Sequence, residues 1–285
     1  MGRGESGRVQ GQRFPFWSQS FSSKGKGEIG TGASVPMPAA HSTSFIRPPI
    51  PPGRLPMLDF HGYGASVFEG AWLTLEVALM SLVVAVALGL AGALAKLSRS
   101  LVLRTIAGLY TTIIRGMPDL VLMLLIYFGG QTLVNVISDA LGWEYIDINP
   151  FVAGVLTIGL IFGAYMTETF RGALMAVPKG QLEAGYAYGM SATQVFVRIH
   201  LPQMLRYALP GFGNNWLVLL KTTALVSVIG LDDIVRKAQL AAGATRLPFT
   251  FYGAVLLGFL AFTTVSVLLL RWAERRYSLG YERME

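Results

Sequence analysis

Residues 71–95 read AWLTLEVALMSLVVAVALGLAGALA, an apolar run of 25 residues whose only ionisable side chain is Glu76. About 20 predominantly apolar residues are enough for an α-helix to cross the hydrocarbon core of a bilayer. The run therefore predicts a membrane-spanning helix, and it sets the class to which the rest of the chain must conform.

The overall composition points the same way. The chain has 285 residues, of which 53% are hydrophobic and 14% charged, whereas soluble domains carry about 25% charged residues. The absence of cysteine excludes disulfide scaffolds, thiol catalysis and cysteine-ligated metals. The three histidines, His41, His61 and His200, have no metal-ligand spacing. A net charge of +7 is compatible with nucleic-acid binding, but long apolar runs interrupt the basic residues, so the expected partner is the lipid bilayer and not a nucleic acid.

The sequence predicts an all-α integral membrane protein with five transmembrane helices. The predicted spans lie near residues 71–95, 110–130, 150–169, 209–230 and 250–270. Residues 1–56 form a Gly-, Ser- and Pro-rich leader with seven Lys/Arg and two acidic residues. Such a segment cannot bury enough apolar surface to fold. We therefore expect the membrane domain to occupy residues 57–285 and translation to begin at Met57.

The distribution of Lys and Arg predicts the orientation of the chain, since cytoplasmic connections are enriched in both. The first, third and last connections are residues 96–115, 170–208 and 271–283, and the opposite side carries residues 57–70, 138–149 and 231–248. The first set holds twelve basic residues and the second holds three. This asymmetry places the N-terminus outside and the C-terminus in the cytoplasm.

The longest connection, residues 178–202, reads PKGQLEAGYAYGMSATQVFVRIHLP. It predicts one helix over 181–188, a break at Gly189, and a second helix capped by Ser191 or Thr193 and closed by Pro202. A helix–glycine–helix unit of this kind suits insertion into a groove of a partner protein. The pattern alone is equally compatible with an amphipathic loop lying on the lipid surface.

Several motifs in this chain match a known family. Glu183-Ala184-Gly185, followed by Gly189 and by Ile199-x-Leu201-Pro202, resembles the EAA signature of ABC-importer permeases, with Gly185 in place of the third alanine. Other matching stretches are Arg115-Gly-Met-Pro-Asp119, Glu168-Thr-Phe-Arg-Gly172, Ala208–Trp216, Leu220–Ser227 and Glu274–Ser278. Over nearly all of 57–285 the chain resembles the polar amino-acid permease family, especially its members for histidine, arginine and opines.

The resemblance implies a type I ABC-importer permease in the bacterial inner membrane. A second related permease subunit, two ATPase subunits and a periplasmic amino-acid-binding protein would be its partners. The residues expected to couple to the ATPase are Glu183, Ala184, Gly185, Gly189, Ile199, Leu201 and Pro202. The cargo would be a basic amino acid such as histidine, arginine, lysine or ornithine, or an opine.

This chain contains no Gly-x-x-x-x-Gly-Lys-Ser/Thr sequence for binding nucleotide phosphates. We therefore expect a transport subunit that is not itself an enzyme and carries no cofactor. ATP and Mg would reside on the partner ATPase.

Ionisable residues inside a span cost about 2.5–3.5 kcal/mol on insertion scales and are candidates for function. Asp119 follows a Gly- and Pro-containing break, and such breaks often line substrate cavities. If its span ends at Gly130, Asp119 lies near mid-depth and suits a cationic cargo. The alternative is an ion pair with Arg115, one helical turn away.

The other three intramembrane charges have similar alternatives. Glu168 can pair with Arg171 or with Arg115, and we favour this structural role over a place on the substrate path. Glu76 can attract cations at the entrance, or bond to Thr74 or to a partner subunit.

Lys221 lies in the middle of the predicted fourth span and needs a counter-charge. Asp119 and Glu168 are possible partners within the chain, and the carboxylate of a cargo is the alternative. All four charges are therefore candidates for the substrate path.

Two other functions compete with the ABC-importer interpretation. An ion-coupled secondary carrier would use Asp119 and Glu168 as coupling groups, but five spans cannot divide into the two equal repeats typical of that class. A membrane enzyme is disfavoured because the sequence shows no nucleophile–base or metal constellation.

The leader generates a prediction that mass spectrometry can check. If translation begins at Met57, the intact mass of the protein purified from its native cells excludes residues 1–56. A mass that includes these residues contradicts the expectation.

Overall fold

The computed structural model describes residues 60–278, which form ten α-helices and no strand. The helices are α1 (Gly64–Leu97), α2 (Leu101–Arg115), α3 (Asp119–Leu124), α4 (Gly130–Ala140), α5 (Pro150–Ala176), α6 (Lys179–Ala187), α7 (Ala192–Val195), α8 (Leu201–Thr222), α9 (Ile234–Thr245) and α10 (Pro248–Ser278). Short π-helical turns at Leu125–Gly129 and Phe196–His200 join α3 to α4 and α7 to α8, and a 3₁₀ segment at Thr223–Ile229 continues α8. The leader, 1–56, and Met57 lie outside the described residues.

Five helical segments are long and apolar enough to cross a membrane, which confirms the predicted class. They are Gly64–Leu97, Asp119–Ala140, Pro150–Ala176, Ala192–Ile229 and Pro248–Arg276. Each overlaps one of the five predicted apolar runs, in the same order along the chain.

The second span differs most from its prediction. It was expected at 110–130, but the chain leaves the helix at Gly116 and re-enters it after the extended Pro118. Residues before this break form the separate helix α2, and the apolar helix after it continues to Ala140. Asp119 therefore opens its apolar segment, and the premise that the span ends at Gly130 is wrong.

The helices α1 and α5 form the centre of the fold. A methyl group added at Gly159 would lie 2.5 Å from Cγ1 of Val84, and one added at Gly92 would collide with the Thr167 side chain. The contact positions rise together along both helices, so α1 and α5 run parallel. Small residues at such contacts let two backbones approach closely enough for dispersion to hold them together in lipid.

The other end of α1 is joined to the start of α9. Thr74 Oγ1 donates a hydrogen bond to the carbonyl of Gly70 (2.8 Å) and accepts one from the backbone N–H of Ile234 (3.2 Å). A methyl group on Gly70 would lie 2.8 Å from the carbonyl oxygen of Asp233. The first turn of α9 is thus held directly against α1, with an apolar cluster that includes Phe251 beside it.

Asp233 caps α9 and is completely buried at this junction. Its Oδ1 accepts a hydrogen bond from the backbone N–H of Arg236 (2.9 Å), while Oδ2 has no partner within the described residues. Burial raises the pKa of the Asp233 carboxyl from 3.8 to about 6, outweighing the hydrogen bonds that lower it. The neutral acid is therefore favoured in the folded protein only below about pH 6.

This carboxyl makes stability pH-dependent with a defined sign. Because folding raises the pKa of the Asp233 carboxyl, this group contributes to the free energy of unfolding fully below pH 3.8. The contribution is lost as the pH rises through about 6. We expect the unfolding free energy of the native chain to fall, relative to Asp233→Asn, by about 2–3 kcal/mol across this interval. Asparagine keeps the helix cap but does not titrate.

The measurement is thermal or denaturant unfolding of the detergent-solubilised chain between about pH 3.5 and 7.5. This range spans the ordinary pKa of the carboxyl, 3.8, and its pKa of about 6 in the folded protein. Asp139→Asn serves as the control, because Asp139 is an exposed acid elsewhere on the chain. Identical pH profiles for the native chain and Asp233→Asn would contradict the assignment.

Candidate functional site

The EAA-like residues form a compact helical unit, which we call the coupling unit (residues 178–202). Gly185 on α6 is buried, and a methyl group there would lie 2.7 Å from Cδ1 of Ile199 and 3.0 Å from Cγ2 of Val195. The glycine that replaces the third alanine therefore lets α6 pack tightly against the following helix. Gly185 and Ile199 are packing residues of the unit.

The turn between the two helices follows the predicted pattern. Gly189 has a φ of +78°, a left-handed conformation that favours glycine. Ser191 then caps α7 in a capping box with Gln194: each side-chain oxygen accepts the other residue's backbone N–H, at 3.3 and 2.9 Å. The break at Gly189 and the cap at Ser191 are confirmed.

The prediction that Pro202 closes the second helix is wrong. The helix runs from α7 through the π-helical turn at Phe196–His200 into α8, and Leu201 and Pro202 lie in its first turn. Proline lacks an N–H and clashes with an ordinary preceding turn, and the wider π-turn accommodates both defects. The coupling unit is therefore continuous with a membrane span.

The signature residues divide between the inside and the outside of the unit. Glu183 and Ala184 are exposed, whereas Gly185 is buried. Beside them, Tyr186 and Tyr188 are 52% and 86% exposed. The unit thus presents an acidic and aromatic surface that residues 60–278 leave uncovered, which is suited to contact another protein.

Glu168 lies in a network of ionic contacts between α1 and α5. Its Oε1 pairs with Lys96, and its Oε2 accepts hydrogen bonds from Arg171 at 3.0 Å. The predicted pair with Arg171 forms, but the predicted alternative, Arg115, is not its cross-helix partner. Sequence reasoning missed Lys96, although its place in the last turn of a span was a visible signal.

Three other candidate charges are unpaired. Asp119 and Glu76 are partly exposed, Lys221 is exposed, and none of them forms an ion pair within the described residues. Arg115 stacks over the ring of Tyr165 at 5.3 Å instead of pairing with Asp119. Lys221 therefore pairs with neither Asp119 nor Glu168, and the prediction of a counter-charge from these two residues is wrong.

The helix that begins at Asp119 touches the segment that closely follows Lys221. α3, which begins at Asp119, packs against the 3₁₀ segment that follows Lys221 and against α5. Thr74 contacts α9 and its own helix, and does not bond to Glu76. Within residues 60–278, no three His, Asp or Glu side chains come together as metal ligands.

The comparisons with known proteins agree with this architecture. Residues 85–279 match the family of binding-protein-dependent transport system inner membrane components. The chain is 55% identical over 225 residues to the histidine/lysine/arginine/ornithine transport system permease protein HisQ of Salmonella typhimurium, covering 79% of this chain and 99% of that protein. It is 42% identical over 223 residues to the octopine transport system permease protein OccQ of Rhizobium radiobacter, covering 78% and 94%.

Two solved structures show the same fold. A crystal structure of an amino acid ABC transporter with histidines superposes with a TM-score of 0.67 at 31% identity, covering 79% of this chain and all of that one. An inward-facing MetNI methionine ABC transporter gives a TM-score of 0.58 at 17% identity, covering 74% of this chain and 95% of that one, and so supports the fold alone.

Five membrane-spanning segments and an exposed helical unit continuous with one of them define a multi-pass permease of the ABC-importer type. The chain belongs to the family of binding-protein-dependent transport system inner membrane components. It is thus a transport component of the inner membrane, and the family resemblance predicted from its motifs is confirmed.

Close packing at Gly185 generates a prediction. Gly185→Leu forces a branched side chain against Ile199 and Val195, and overpacking of this kind typically costs about 1–3 kcal/mol. The expected result is a lower melting temperature of the purified chain.

Gly180→Leu is the matched control, because nothing lies within 4 Å of a methyl group at Gly180 on the same helix. Equal melting temperatures for the two variants would show that the tight contact at Gly185 does not exist.

Proposed function

We propose that this chain is one permease subunit of an ABC importer for basic amino acids, moving cargo inward by alternating access. The observation that carries the proposal is the exposed coupling unit joined without a break to a membrane span. Conformational change in a partner at the unit would be passed along α8 to the membrane-embedded part of the protein. ATP and Mg would be bound by two separate ATPase subunits, and this chain would carry no catalytic residue.

The coupling unit supplies the contact with the ATPase. Glu183 is exposed and free to accept a charge-assisted hydrogen bond from a partner arginine. Ala184 beside it offers a flat surface, and Gly185 and Gly189 set the shape that presents both. Ile199, Leu201 and Pro202 anchor this surface to α8.

A basic cargo is supported by the relatives and by the unpaired charges. The related permeases are named for transport of histidine, lysine, arginine, ornithine and octopine. Asp119 and Glu76 would attract the cationic side chain, and Lys221 would face the carboxylate of the cargo. Glu168 is the exception, because both of its oxygens are already engaged by Lys96 and Arg171. It would hold helices together without touching cargo.

The proposed orientation places the N-terminus outside and the coupling unit and C-terminus in the cytoplasm. The uneven distribution of twelve and three basic residues between the two sides supports it. The acidic connection at 138–149 would then face a periplasmic binding protein that delivers the amino acid. A second, related permease subunit would complete the membrane pore.

Transport by the reconstituted complex tests this function. The full chain is reconstituted into liposomes with its second permease subunit, ATPase and binding protein, and uptake of labelled arginine and of a neutral amino acid is followed. We expect ATP-dependent arginine uptake to fall about tenfold or more in Asp119→Asn, as for loss of a charged hydrogen bond. Uptake of the neutral amino acid should change little.

Asp232→Asn is the matched control, because it removes the same charge from an exposed position outside both the intramembrane charges and the 138–149 connection. An equal loss for both amino acids in Asp119→Asn would contradict a cation site. Uptake by this chain alone, without ATPase or ATP, would contradict the importer function itself.

A further inference from the structure

A cavity of about 480 Å³ lies where α1, α2 and α5 meet. Its walls include Lys96, Thr111, Thr112, Arg115, Tyr165 and Glu168. It is open to the surroundings of the chain and lies apart from the coupling unit. The transport mechanism proposed above does not use it.

Among the described residues, the only carboxylate that lines this cavity already has partners. Glu168 Oε1 pairs with Lys96, and Oε2 pairs with Arg171, which lies just behind the wall. The lining residues carry the two positive charges of Lys96 and Arg115 against the one negative charge of Glu168. The lining therefore has a net charge of +1, and Arg171, which pairs with Glu168 from outside the lining, adds a further positive charge nearby.

The free polar groups of the cavity are all hydrogen-bond donors or hydroxyls. Arg115 is exposed, its guanidinium carbon lies over the ring of Tyr165 at 5.3 Å from the ring centroid, and it forms no ion pair within the described residues. Lys96 uses two of its three protons, on Glu168 and on Thr111 at 2.6 Å. The hydroxyl of Thr112 is exposed and makes no hydrogen bond in the described part of the chain. An oriented guanidinium with spare donors beside it is suited to a phosphate.

The helix that carries Arg115 also carries an exposed apolar face. α2 is not one of the five spanning segments, yet it exposes large apolar side chains along its length. They are Leu101, Val102, Leu103, Ile106, Leu109 and Ile113, all at least 49% exposed. Apolar residues on an exposed helix whose end carries a basic pocket are typical of a helix that contacts acyl chains and head groups together.

We propose that this cavity binds the phosphate of an anionic phospholipid, with Arg115 as its principal contact. Lys96 and Thr112 would add donors, and the acyl chains would lie along the exposed face of α2. Free phosphate or a carboxylate of the cargo shares the charge of such a head group, but neither uses the adjoining apolar face. The lipid is favoured because only it accounts for both features.

Native mass spectrometry of the full chain, delipidated in detergent, tests the proposal. Phosphatidylglycerol and phosphatidylcholine with identical acyl chains are titrated in parallel, and apparent dissociation constants are read from the bound fractions. We expect tighter binding of phosphatidylglycerol, weakened about fivefold by Arg115→Gln, the effect of one basic residue near an anionic lipid. Arg115→Lys, which keeps the charge but loses the planar fork, should fall between the two.

Arg104→Gln is the matched control, because Arg104 is exposed on the same helix but does not line the cavity. An equal loss in Arg104→Gln would overturn the proposal in favour of general attraction to anionic lipid. Equal binding of phosphatidylcholine, or displacement of phosphatidylglycerol by millimolar-range inorganic phosphate or arginine, would overturn it as well. Gel filtration and melting temperature establish that each variant is folded, and Arg115→Lys alone decides the outcome if Arg115→Gln does not fold.

Discussion

The close approach of α1 and α5 is the constraint on which the rest of this structure depends. In lipid there is no hydrophobic gain from bringing two apolar helices together, so their association relies on shape and on close backbone contact. Gly89 and Gly92 on α1 and Gly159 and Gly163 on α5 remove the side chains that would keep the helices apart. The 34 residues of α1 span roughly 50 Å, more than the hydrocarbon core needs. Its excess length therefore reaches both the α9 junction and the Lys96–Glu168 pair.

A second consequence concerns how movement can pass through the molecule. The helical path from Ala192 to Ile229 contains a π-turn, two prolines (Pro202 and Pro210) and a 3₁₀ segment, but no residue that leaves the helix. The coupling unit packs on the beginning of this path through Gly185, and Lys221 lies near its end. A continuous helical path of this kind is suited to carrying a displacement from the exposed surface of α6 into the membrane region, as the proposed coupling to a separate ATPase requires.

The intramembrane charges fall into two groups with different uses. Glu168, Lys96 and Arg171 satisfy one another and hold α1 to α5, as charges in an apolar environment must do when they serve the fold. Asp119, Glu76 and Lys221 have no partner of opposite charge in the described part of the chain. Leaving charges unpaired is costly in lipid, and under the proposed function their partners would come from cargo or from another subunit.

The sequence by itself determined the class, the five spans, the family and the turn of the coupling unit. These follow from local signals: the length of an apolar run, the conformational freedom of Gly189, and the Ser191 cap that reaches only three residues along the chain. Only the tertiary structure decided that the second span begins at Asp119, that the helix passes through Pro202, and that Lys96 is the partner of Glu168. These features depend on which helices contact each other and on how the helices are shifted along their axes. Such contacts join residues far apart in the chain, and no short sequence pattern indicates them.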